Sequence, residues 1–565
     1  MSLFKIAFSV CAICMATCLP LLNPSPCEAE VDLKRDALGE KGMVAAATPQ
    51  ASEIGVEILK KGGNAVDAAV AVGFALGVLE PNASGLGGGG FMMIHLAKTN
   101  KTVFLDFREK APQKAKADMY ELGGNDLPLN NANKLGALSV AVPGEVAGLL
   151  TALGQYGVMS RQEVMAPAIK RAKQGVKVTP VMAGLMTKYY DTLLSCPSTA
   201  SIYLDEELPK MPGDTIKNPD LAKTLELISQ KGRDAFYKGP LAQKIVEFMK
   251  KQGGIISLED LADYRVRQRQ PVKGTYRGYE ILSAAPPSSG GTHVIELLNI
   301  MENSDLKKMG PDNPLTWHLW AEAMKLVYAD RARYSGDADF AKVPLNGLLS
   351  KAYAGELFKR IDRKKTAEKP EPGDPWKYES ASTTHYSVMD SQGNMVAVTK
   401  TLNFFFGSGL TVPGTGILLN DEMADFDFKP GQANSIAPGK RPLSSMSPTL
   451  ILKDGKSVAC LGSPGGKRII TTVALIISNL LDHGMDLQAA INAPRICQYH
   501  QGPLKFEKRL PKDVQEKLRQ MGHELEEKGA YDLYFGGAQG VSFDRKAAGL
   551  HGAADPRRDG RALGF

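Results

Sequence analysis

Residues 379–403 read ESASTTHYSVMDSQGNMVAVTKTLN, and this stretch decides the fold. Thr383 to Asp390 alternates like a strand, Ser391-Gln392-Gly393-Asn394 is a turn, and Met395 to Thr401 is a second strand. The turn centres near residue 392, so a simple antiparallel register puts Thr383 opposite or next to Thr401. Two hydroxyls then meet at the open end of a hairpin. Taken alone, that is a threonine pair in a sheet. The segment before it, Lys359 to Glu379, is rich in Lys, Glu, Pro and Gly and reads as an exposed, mobile connector.

Outward from this hairpin the texture is layered. Pro448–Lys453 and Lys456–Leu461 form another hairpin around Asp454-Gly455, and Gly462-Ser463-Pro464-Gly465-Gly466 leads into a helix from about Lys467 to Leu481. Near the start, Gly42–Thr48 is a short strand and Pro49 opens a helix to about Lys61. Gly62-Gly63 ends that helix, and Asn64 caps a small-residue helix over Ala65–Val78. The glycine run Gly85–Gly90 lacks the spacing and lysine of a P-loop and reads as close backbone approach between helix and sheet. Asn218–Lys251 and Leu315–Tyr334 are helical. No repeats are present. Antiparallel hairpins inside helices make an α/β chain.

The 565 residues are 43% hydrophobic and 23% charged, with net charge +7, which are ordinary globular values. The basic residues are scattered, with no aromatic-lined basic stripe, so no nucleic-acid partner is expected. Residues 1–29 combine Lys5, an apolar run from Ile6 to about Leu22, and small Ala29. They read as a signal peptide cleaved after Ala29, the alternatives being a membrane anchor or a lipoprotein at Cys18. No other stretch is apolar enough to span a bilayer, so the protein is expected to be exported, periplasmic or secreted. Beyond the leader only Cys196, Cys460 and Cys497 remain, an odd and widely spaced set implying neither a disulfide framework nor a zinc site.

Several further segments spell a family. GMVAAATPQASEIGVEILKKGGNAVDAAVAV (42–72), GLGGGGFM (85–92), FLDFREKAP (104–112), AVPGEVAGL (141–149) and AEAMKLVYADRARYSGD (321–337) precede the hairpin. GILLNDEMADF (416–426), KRPLSSMSPT (440–449), LGSPGGKRIITT (461–472) and the closing AADPRRDGRALGF (553–565) follow it. With the hairpin itself, this set resembles the γ-glutamyltransferase (γ-glutamyltranspeptidase) family of N-terminal nucleophile hydrolases from about Gly42 to the last residue. The resemblance implies a four-layer αββα sandwich. It also implies a precursor that cuts itself between Ser382 and Thr383, giving a large subunit (30–382) and a small catalytic subunit (383–565).

The implied chemistry is coherent. A threonine hydroxyl is a weak nucleophile that needs a base. Once freed, Thr383 carries its own α-amine, with an ordinary pKa of about 7.7–8.0, near working pH. Thr401 orients the hydroxyl. By resemblance Gly465 and Gly466 form the oxyanion hole, at a strand-to-helix turn where backbone N–H groups point outward. Arg108 matches the family arginine for the donor α-carboxylate, the alternative being a surface ion pair with Asp106 or Glu109. Ser444 and Ser445 match the pair that also holds this carboxylate, and Asn403, Glu422 and Asp425 match the groups around the α-ammonium. His385 reads as a core histidine. No metal or organic cofactor is implied.

Two departures stand out. Phe404-Phe405-Phe406 follow Asn403, which is expected to make one wall of the pocket apolar. Only Phe426–Leu443 separates Asp425 from Ser444, leaving no segment for a lid, so an open cleft admitting poly-γ-glutamyl donors is expected. The expected activity is attack on glutathione and other γ-glutamyl amides, with transfer to water or to an amino acid or peptide. The alternatives are a glutaryl-type (cephalosporin) acylase of the same superfamily and an unprocessed exported binding protein.

Overall fold

Two seven-stranded antiparallel sheets are stacked between layers of helices. The computed structural model describes residues 31–124, 126–368, 382–544 and 549–565. The sheet strands are β1 (Ala37–Gly39), β2 (Gly42–Ala46), β3 (Gly89–Leu96), β4 (Lys101–Phe107), β5 (Arg267–Arg269), β6 (Val272–Tyr276) and β7 (Tyr279–Ser283). After them come β8 (Ser382–Asp390), β9 (Met395–Asn403), β10 (Thr449–Lys453), β11 (Lys456–Gly462), β12 (Gln539–Asp544), β13 (Gly549–Ala554) and β14 (Arg561–Gly564). One sheet runs β1-β13-β12-β11-β10-β7-β6 and the other β14-β2-β8-β9-β3-β4-β5.

The strand period of two sorts side chains into two cores. Met43, Ala45, Met389 and Ala397 face the other sheet, where Cys460 and Val541 meet them. Val44, Ala46, Val388 and Val396 face the opposite way, onto helices α1 (Pro49–Lys60), α2 (Ala65–Leu79) and α3 (Glu145–Tyr156). The outer face of the first sheet is covered by α4 (Gly290–Met301), α5 (Pro314–Tyr334) and α6 (Ile469–Leu481). The result is the expected αββα sandwich, with Leu33–Phe565 folding as one unit.

The sequence reading holds closely for the central hairpins. Asn64 caps α2, accepting from the Val66 and Asp67 N–H groups while Asp67 accepts the Asn64 N–H at 2.9 Å. The helical run at 218–251 is instead three helices, Pro219–Lys231, Arg233–Tyr237 and Pro240–Lys251. Gly232 adopts φ +72°, which stops the first of them. The connector begins tethered rather than loose. The Thr366 N–H reaches the Met521 carbonyl at 2.8 Å, and the Thr366 hydroxyl donates to Glu322 at 2.7 Å. Residues 369–381, most of the expected connector, and the leader 1–29 lie outside the described residues. No helix among the described residues is long and apolar enough to cross a membrane.

Candidate active site

The hairpin register places the threonine pair. In β8 and β9, Thr384 pairs with Lys400 and Ser382 with Asn403, so Thr383 lies in a bulge beside Thr401. The Thr383 hydroxyl donates to the Thr401 hydroxyl at 3.3 Å, and Thr401 Oγ also accepts the Asn403 N–H at 2.7 Å. Both threonines are almost wholly buried. On the other side, Arg558 donates to the Thr383 carbonyl at 2.8 Å and to Glu80 at 3.3 Å. The glycine run makes room for this arrangement. A Cβ on Gly88 would sit 2.0 Å from the Thr401 carbonyl oxygen, so close backbone approach is what these glycines provide, here to β9.

The turn after β11 supplies backbone donors. Gly465 has φ +131° and Gly466 has φ +59°, at the entry to a single helical turn that runs into α6. Among the described residues neither amide N–H has an acceptor, as expected of the first donors of a helix. Gly466 lines the cleft that also holds Thr383 and Thr401.

The same cleft is lined by Arg108, Glu422, Asp425, Ser444 and Ser445. Arg108 is buried rather than on the surface. It pairs with Glu422, with Asp425 at 2.6 Å and more distantly with Glu109 at 3.7 Å. Burial works against its charge, but Glu422, Asp425 and Glu109 outweigh that and hold its pKa above the ordinary arginine value. The acids are in excess. Burial pushes Glu109 up to about 8 against the pull of Arg108, and lifts Glu422 and Asp421 well above the usual carboxylate range. A site with more buried acid than base favours an incoming cation.

Two expected residues stand apart. Asn403, at φ +79°, turns its side-chain amide to the Asp421 carbonyl at 3.1 Å and does not line the cleft; nor does Gly465. The side chain of Ser382 lies outside the described residues. The three phenylalanines form no wall here, contrary to expectation. After Asn403 the chain turns through left-handed Phe406 and Gly407, and Phe405 and Phe406 pack among Tyr189 and Tyr203 instead. Phe426–Leu443 folds onto itself beside Asp425. Asn434 donates to the Asp425 carbonyl at 2.7 Å and accepts the Leu443 N–H at 2.9 Å. His385 is a core residue, bonded to Thr399 at 2.8 Å and Ser387 at 3.1 Å, and burial lowers it to about 3.

Sequence reasoning missed Arg331, Lys467, Asp427 and Asn434, which also line the cleft, and Arg558 behind the nucleophile. Arg331 and Arg558 lie within motifs that carried the resemblance, which was their only signal. Elsewhere, His318, Glu322 and His523 bring three potential metal ligands together. They are already partnered: His318 bonds His523 at 2.8 Å, and Lys325 pairs with Glu322 at 2.8 Å.

An αββα sandwich with a threonine buried at the head of a central strand is the architecture of the N-terminal nucleophile hydrolases. Comparison with known proteins narrows this. The γ-glutamyltranspeptidase family model matches residues 51–565. The chain is 44% identical to the glutathione hydrolase proenzyme of Escherichia coli (strain K12), covering 96% of this chain and 95% of that one. It is 40% identical to the glutathione hydrolase proenzyme of Bacillus subtilis (strain 168), covering 99% of each. Among solved structures, cephalosporin acylase from Bacillus halodurans superposes with TM-score 0.87 at 30% identity, over 97% of this chain and 99% of that one. The chain belongs to the γ-glutamyltranspeptidase family.

Proposed function

We propose that this γ-glutamyltransferase and hydrolase works as a self-processed precursor, with Thr383 as both nucleophile and base. In processing, Thr383 Oγ attacks the Ser382 carbonyl carbon, the peptide nitrogen leaves as the Thr383 α-amine, and water hydrolyses the resulting ester. In turnover, the α-amine takes the hydroxyl proton as Oγ attacks the γ-carbonyl of the donor. The Gly465–Gly466 turn receives the oxyanion. Collapse expels the amine, which takes the proton back, and leaves a γ-glutamyl ester on Thr383. Water, or the amine of an amino acid or peptide, then attacks the ester and completes hydrolysis or transfer.

The observation that carries this reading is the acid-rich pairing around Arg108 in the cleft of the Thr383–Thr401 pair. An α-amino-acid end brings one carboxylate and one ammonium. It can enter by exchange: its carboxylate takes Arg108, and its ammonium takes Glu422 and Asp425. No charge is left without a partner. A glutaryl group brings only the carboxylate and would strand the two acids, so the γ-glutamyl reading is favoured despite the acylase-like fold. Glutathione is the proposed donor because the relatives of E. coli and B. subtilis are glutathione hydrolases. The test is release of glutamate from glutathione beside release of glutarate from glutaryl-p-nitroanilide. Preference for glutathione is expected; preference for the glutaryl compound would reverse the assignment.

Longer donors are proposed as well, because Phe426–Leu443 is short and folds against the cleft wall. Shortening of poly-γ-glutamate chains, read by size-exclusion chromatography, is expected; donors confined to small γ-glutamyl compounds would refute this. Export rests on the reading of residues 1–29 alone.

A further inference from the structure

Arg331 is, with Lys467, one of two cations of the cleft that the proposed chemistry does not use. It lies near the end of α5, is mostly buried, and lines the cleft with Thr383, Ser444 and Ser445. Its Nε donates to Ser289 Oγ at 2.9 Å and one Nη to Ser445 Oγ at 2.8 Å. Both partners are neutral, and among the described residues Arg331 makes no ion pair. Five other buried arginines differ. Arg108 reaches Glu422 and Asp425, Arg441 faces Asp106, Arg495 and Arg557 hold Asp555, and Arg558 meets Glu80. A buried guanidinium without a direct ion pair is costly, and burial pulls Arg331 below the ordinary arginine value although Tyr328 and the nearby acids Asp425 and Asp427 work against it. It nevertheless stays charged, with five N–H donors of which the two serines take two. The cleft carries both signs: Glu422 and Asp425 are in excess around Arg108, while Arg331 and Lys467, with Asp427 near both, add two cations to its lining.

We infer that Arg331 binds a carboxylate of the donor, together with the Ser445 hydroxyl it already holds. This rests on the γ-glutamyl reading above. The carboxylate has two possible sources, the α-carboxylate of the γ-glutamyl group or one carried by the leaving amine, as at the C-terminus of a γ-glutamyl peptide. A planar guanidinium suits either, because it meets a carboxylate with two parallel hydrogen bonds.

Three donors separate the cases. γ-Glutamyl-p-nitroanilide carries only the α-carboxylate, γ-glutamyl-3-carboxy-4-nitroanilide carries both, and 4-aminobutyryl-p-nitroanilide carries neither. In Arg331→Gln, which keeps an amide donor for the serines but loses the charge, KM for a carboxylate-bearing donor is expected to rise about ten- to a hundredfold, with kcat changed less. Arg331→Lys should recover part of the loss. An equal rise for both γ-glutamyl donors assigns the α-carboxylate, and a rise confined to the carboxynitroanilide assigns the leaving group. Unchanged KM for both, or an equal rise for the aminobutyryl compound, overturns the inference. If the wild type turns over none of these, the γ-glutamyl reading has failed. Calorimetric titration with glutamate, with γ-glutamylglycine and with 4-aminobutyrate then decides the inference separately. Tighter binding of glutamate, or of γ-glutamylglycine with its second carboxylate, that is lost in Arg331→Gln and partly restored in Arg331→Lys supports it, and equal affinity of all three proteins for glutamate and for γ-glutamylglycine refutes it.

Discussion

Around Arg108 one guanidinium answers several acids, and the consequence is directional. Glu422 is fully buried and is the less accessible partner of Arg108. Asp425 is the more accessible partner, its side chain 19% exposed, and is free to exchange Arg108 for an incoming ammonium. Asp425→Asn is therefore expected to raise KM for γ-glutamyl-p-nitroanilide about ten- to a hundredfold, the range for one charge-assisted contact. Thermal stability should fall little, since Arg108 keeps Glu422. Initial-rate kinetics beside a melting curve check both parts. An unchanged KM would move the ammonium site elsewhere in the cleft.

At the level of elements, catalytic geometry depends on how tightly β9 lies against the glycine run. Gly88→Ala would drive a Cβ into the Thr401 carbonyl, which has no flexible side chain to yield. Such overpacking costs about 1–3 kcal/mol, and here the strand that shifts carries Thr401. Lower melting temperature and lower kcat together are expected, measured on purified variant and wild type. The hairpin itself was legible from the sequence because an antiparallel register follows from counting back from the turn, and Thr383 does lie beside Thr401. The departure of Phe404–Phe406 was not legible. It follows from left-handed backbone at Asn403 and at Phe406, a bulky residue that seldom adopts it, and from tyrosines about two hundred residues earlier in the chain. The break at Gly232 had a sequence signal, outweighed by the strong helical pattern on both sides. Arg331 was hidden for a different reason. In a helix motif a basic residue looks solvated, and only tertiary packing shows it buried against two serines.

Across the whole molecule, the two segments on either side of residue 382 are interleaved. In one sheet β8 lies between β2 and β9, and β9 lies between β8 and β3; in the other, β10 to β13 stand between β1 and β7. Cutting the chain before Thr383 therefore leaves both pieces sharing both sheets and both cores, so they should stay together until denatured. The measurement that tests the central claim most directly is intact mass under native and denaturing conditions, with N-terminal sequencing, on the wild type and Thr383→Ala. The account predicts one native species for the wild type that separates on denaturation into two chains, the smaller beginning at Thr383, and an uncut Thr383→Ala. A wild type that remains a single uncut chain, or a cut at any other bond, would contradict it.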